Sequence, residues 1–143
     1  MNDRLDVSLG QRRLAVIWYS GAGLIFLLLL VQSLMGKYGD QVQAAWSWFL
    51  PTIVPTLSLI TGAIAYNARK SDSPGTVDAF SFKVSSGLSG FYLVLVLATL
   101  LVQPLTSTSP ISLMKLSNLW LAPIQVLLGI ALGAFFSSRQ SAG

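Results

Sequence analysis

The sequence predicts an all-α integral membrane protein with four transmembrane helices. These are arranged as two tandem helical hairpins related by a pseudo-twofold along the membrane normal. Three observations predict it. The chain is 53% hydrophobic and only 10% charged, whereas a soluble domain carries about 25% charged residues, so its polar residues are too few to cover a water-facing surface. Four apolar stretches, each about 20 residues long and free of Asp, Glu, Lys and Arg, match the helix length needed to cross ~30 Å of hydrocarbon. The basic residues cluster on alternate sides of these stretches.

The first stretch is Leu14–Met35, "LAVIWYSGAGLIFLLLLVQSLM". It is longer than the ~7–15 apolar residues of a secretory signal, and no small-x-small cleavage site follows it. Residues 1–13 form a cytoplasmic N-terminal segment. Its apolar Leu5, Val7 and Leu9 suit a short interfacial helix or an irregular segment equally.

The second stretch, Ala45–Tyr66, contains Pro51 and Pro55. Proline lacks an N–H and its ring clashes with the preceding turn, but the first turn of a helix tolerates it. Trp48-x-x-Pro51 therefore reads as a helix start with the indole at the membrane interface, and Pro55, one turn deeper, as a kink or a site of local backbone adjustment. At 100° per residue Pro51, Pro55, Ser58, Gly62 and Ala65 share a narrow face that suits close contact with another helix. Ile53, Leu57, Ile60 and Ile64 share a face that suits lipid.

The longest connection, 67–83, carries a Ser-Pro-Gly turn signal, and Asp78 can cap the helix that follows. The third stretch, Val84–Leu105, opens on the small, polar "SSGLSG". The fourth, Leu119–Phe136, is opened by Trp120-x-x-Pro123 in the manner of Trp48 and Pro51. Its Ala122, Gly129 and Gly133 share a face, and the two glycines form a G-x-x-x-G pair.

Orientation follows from charge. Arg4, Arg12, Arg13, Arg69, Lys70, Lys83 and Arg139 lie on one side of the four stretches and only Lys37 and Lys115 on the other. The positive-inside rule then places both termini in the cytoplasm, in an inner or plasma membrane. The same placement accounts for the net charge of +4 without nucleic acid.

An internal repeat divides the chain. "LLVQSL" (Leu29–Leu34) recurs as "LLVQPL" (Leu100–Leu105), 71 positions on, and "WFLP" (Trp48–Pro51) as "WLAP" (Trp120–Pro123), 72 positions on. The first hairpin is then 14–71 and the second 72–143.

Composition also bounds the chemistry. The chain has no Cys, His or Glu, so it offers no thiolate, no imidazole proton shuttle and no usual metal ligand. Its five aspartates lie outside the apolar stretches, which argues against ion or proton coupling within the membrane. No enzyme motif occurs, and neither a catalytic residue nor a cofactor is expected. Ser20, Ser86 and Ser89, with Gln32, Gln103 and Gln125, are candidates for a polar lining or for hydrogen bonds between helices. Pro55, Ser58, Gly62, Gly129 and Gly133 are candidates for helix packing in an oligomer. The expected partners are membrane lipid and further copies of the chain, with other membrane or cytoplasmic subunits as an alternative. The leading functional expectation is a homo-oligomeric, pore-like or membrane-perturbing assembly. A non-catalytic anchor or subunit of a larger membrane complex is one alternative, and a facilitator for a neutral or apolar solute is another.

Overall fold

The computed structural model describes residues 4–69 and 76–137. Four helices dominate: α1 (Val7–Leu34), α2 (Val42–Arg69), α3 (Ala79–Leu101) and α4 (Pro110–Ser137). All four are long and apolar enough to cross a membrane, as in a multi-pass membrane protein. Many large apolar side chains project outwards, among them Leu24, Val94, Val126, Leu127 and Ile130.

α1 stops at glycine. The Gly36 N–H bonds the Ser33 carbonyl and the Lys37 N–H the Gln32 carbonyl, while Gly36 has φ +73°. This is the left-handed cap that closes a helix at least cost when the residue has no Cβ. Gly39, φ +52°, then leads through a short 3-10 turn (Gly39–Gln41) into α2. Asp78 caps α3 as expected, its Oδ1 accepting from the Phe80 N–H at 3.4 Å.

Two boundaries differ from the sequence expectation. α3 ends at Leu101, and Gln103–Leu105 forms a 3-10 turn around Pro104, which has no N–H to continue the helical ladder. α4 begins at Pro110, well before Leu119, so Lys115 lies within the helix. Pro110 sits in the first turn, where proline is pre-organised. The Ser109 Oγ accepts from the Ser112 N–H at 3.3 Å, capping the helix. The N-terminal segment also differs. Arg4–Asp6 (β1) pairs antiparallel with Thr76–Asp78 (β2), and α1 begins immediately after β1.

α1 packs on α2 and α3, and α4 packs on α2 and α3. A twofold through the bundle centre would set α1 diagonal to α3, but they are neighbours, as are α2 and α4. The expected pseudo-twofold is therefore not the arrangement of these contacts. Close approach at two glycines fixes the α1–α3 register. A Cβ on Gly10 would lie 3.2 Å from the Phe82 ring, and one on Gly21 would lie 2.8 Å from Leu93 Cδ1. Both pairs are 72 positions apart.

The interior is filled. Trp18, Tyr92, Ile53, Ile60, Leu128, Leu132 and Phe135 are buried in one continuous core, with Trp18 and Tyr92 at a ring-centroid distance of 6.0 Å. At the end where α1 and α2 meet, Phe26 packs on Trp46 (5.4 Å) and Phe49 (6.2 Å). The β1–β2 ribbon marks the opposite end of the bundle.

Candidate functional site

The polar chemistry of the described residues gathers at the prolines of α2. Pro51 and Pro55 both lie inside the helix, as does Pro123 in α4, so Pro51 and Pro123 are not helix starters. The true starts, Val42 and Pro110, lie further back along the chain. A proline nitrogen carries no hydrogen, so Pro55 deprives the Pro51 carbonyl of its helical donor. Gln125 Nε2, from α4, donates to that carbonyl at 3.1 Å. One residue on, Tyr92 Oη, from α3, donates to the Thr52 carbonyl at 2.8 Å. Trp48 Nε1 donates to Ser117 Oγ at 3.1 Å, and Ser117 in turn donates to the Met114 carbonyl at 2.6 Å. The break in α2 is therefore joined to its neighbour α4 and, across the bundle, to α3.

Beside this break, α2 and α4 leave a cleft of about 150 Å³. Pro51 and Ser47 line it from α2, and Ala122, Asn118 and Gln125 line it from α4. Pro51 opens the small-residue face of α2, and Ala122 opens that of α4. Each face thus contributes its first residue to this cleft. Pro51, Pro55, Ser58, Gly62 and Ala65 are all exposed. Gly129 is exposed and Gly133 half-buried, and a Cβ added to Gly62, Gly129 or Gly133 would meet nothing within 4 Å. The opposite face of α2 goes inward: Ile53 and Ile60 are buried, and Leu57 and Ile64 pack on the core. This reverses the expectation that the isoleucine face meets lipid. Large side chains are needed to fill the space between helices about 8–10 Å apart, and the small face is what remains outside.

The sequence-predicted polar residues do not share a lining. Ser20 is exposed, and its Oγ donates back to the Val16 carbonyl at 2.5 Å. Gln32 Oε1 accepts from Tyr38 Oη at 2.5 Å in the α1–α2 turn. There burial pushes the Tyr38 hydroxyl up to about 12, which keeps it a neutral donor. Lys37 is lowered by burial, and its Nζ lies 3.5 Å from the Leu100 carbonyl. Gln103 lies in the 3-10 turn after α3, and Gln125 serves Pro51. Ser86 Oγ and Ser89 Oγ are buried without a hydrogen-bond partner, as are Gln11 Nε2 and Trp18 Nε1. Ser86 and Ser89 fall between the two glycine contacts of the α1–α3 seam, level with Leu14 and Ile17. Trp48, expected at an interface, is buried at 7% exposure, whereas Trp120 is exposed.

Sequence reasoning missed Gly10, Gln11, Tyr92 and Ser117. Tyr92 and Ser117 carried a signal, being polar groups inside or beside apolar stretches within reach of a proline-broken helix. Among the described residues no cluster of acidic side chains could hold a metal ion. No known family model matches the chain, and neither a curated protein nor a solved structure matches it.

Proposed function

We propose that the protein is a four-span membrane protein that works as a homo-oligomer, joined along the small-residue faces of α2 and α4, with a pore-like junction between subunits. One observation carries the reading: a bundle whose inside is filled leaves two small-residue faces open, one on α2 and one on α4, which start at a shared cleft. In lipid, helices associate by close packing because no hydrophobic force draws them together, and small residues allow that approach. The filled core leaves the space between subunits as the route for any permeant. By the positive-inside rule the ribbon end faces the cytoplasm, in an inner or plasma membrane, with both termini on that side. The recurrence of the 72-residue offset, in the WFLP/WLAP pair and in the α1–α3 register, supports a tandem duplication of one hairpin. The same filled interior favours a second reading, a non-catalytic anchor within a larger membrane complex, over a facilitator that carries solute through one bundle.

Gly62→Leu and Gly133→Leu test the assembly. A Cβ at either position meets open space within the subunit, so a loss of assembly with the fold retained reports on a neighbouring copy. Native mass spectrometry in lipid nanodiscs should give an oligomer for the wild type. At least one variant should lower its yield more than about tenfold, since contacts of about 1–2 kcal/mol each repeat around a ring. A wild-type monomer refutes the homo-oligomer. An oligomer without conductance in planar bilayers leaves the anchor reading in its place.

A further inference from the structure

At the ribbon end, α1 and α2 part below the hydrogen bond between Tyr19 Oη and Thr61 Oγ1. They leave a groove of about 510 Å³. Its walls are Ala15 and Val16 from α1 and Ile64 and Ala68 from α2, with Arg12 at the mouth and Gln11 on its floor. We propose that this groove holds one anionic phospholipid, with the headgroup phosphate on Arg12 and an acyl chain between the apolar walls. The proposal rests on the membrane reading above, which sets this end at the cytoplasmic leaflet.

Three features select an anion with an apolar tail. Arg12 is exposed and, among the described residues, forms no ion pair, leaving its planar donors free for a phosphate. Gln11 is only 6% exposed, and its Nε2 has no hydrogen-bond partner. A buried amide donor without an acceptor is costly, and because Gln11 lines the groove, a turn of its side chain would bring Nε2 to a phosphate or ester oxygen held there. No acidic side chain lines the groove. The walls are too apolar for a free phosphate, which would leave Val16 and Ile64 facing water.

Native mass spectrometry of the detergent-purified chain, titrated with phosphatidylglycerol and with phosphatidylcholine, tests the site. The wild type should retain one phosphatidylglycerol in preference to phosphatidylcholine. Arg12→Gln should weaken this about fivefold, and Ala68→Trp, which fills the groove from an exposed position, should abolish it. Arg13→Gln, exposed and outside the groove, should leave it unchanged. Equal retention of the two lipids overturns the proposal, as does an equal loss in Arg13→Gln and Arg12→Gln, which would mean diffuse surface charge. Displacement by millimolar glycerol 3-phosphate would show that the acyl wall contributes nothing, and overturns it too. Release of the chain from native membranes by alkaline carbonate would sink the membrane reading itself. An inserted chain that retains no anionic lipid would sink the groove alone.

Discussion

A proline in mid-helix is tolerated when another side chain reaches the carbonyl it leaves unpaired, and Gln125 does so for Pro51. The pairing predicts a coupling. Gln125→Leu should destabilise the chain by about 1–2 kcal/mol, because a carbonyl among apolar groups then loses its donor. In a Pro55→Ala background the backbone N–H gained at that position restores the helical bond, and the same substitution should cost about 1 kcal/mol less. Thermal unfolding in detergent of the four proteins of this cycle reads the difference, and equal losses in both backgrounds would refute the division of roles. Ser89 is the converse case, a fully buried hydroxyl with no partner. Ser89→Ala should raise the midpoint, by up to about 1–3 kcal/mol in equivalent stability; a lower midpoint would show that the hydroxyl is satisfied by a bound molecule. The sequence marked Gln125 and Ser89 as polar groups within apolar helices. It could not say that one serves a broken helix and the other nothing, because that depends on which helices face each other.

The four elements themselves were legible, because a long uncharged apolar run has few other ways to fold. Their ends were less so. α1, α2 and α4 each have 28 residues, about 42 Å at ~1.5 Å per residue, which exceeds ~30 Å of hydrocarbon. Hydropathy therefore locates the middle of each helix and not its ends. Capping chemistry locates the ends: Ser109-Pro110 is the start signal of α4, whereas Trp120-x-x-Pro123 only imitates one. Ser109→Ala should therefore loosen the first turn of α4. It should cost about 0.5–2 kcal/mol and speed amide exchange at residues 111–113. A substitution at Pro123 that changed exchange there instead would restore the later start. The isoleucine face of α2, expected to meet lipid, turns inward, and the small face lies outside. Periodicity groups residues by azimuth; which azimuth turns inward is decided by the volume to be filled.

For the molecule as a whole, orientation is the property that charge alone predicts. A tag at residue 1 or 143 should be reached by antibody only after the cells are permeabilised. A cysteine introduced at Thr106, in the exposed α3–α4 connection, should react with an impermeant reagent in intact cells. Labelling of either terminus from outside would reverse this orientation. The adjacency of α1 to α3 was beyond the reach of the sequence, because both a twofold and a translation preserve a repeat. The ribbon was hidden as well, because a three-residue strand has no periodicity to detect. That ribbon has a consequence for synthesis. Arg4–Asp6 leaves the ribosome long before Thr76–Asp78, and the two can zip together only on the same side of the bilayer. A chain whose second helix fails to cross holds the two strands apart. In the proposed topology, pairing is therefore a late checkpoint: it closes only when the first hairpin has gone out and come back, and it then clasps the starts of α1 and α3 at one height.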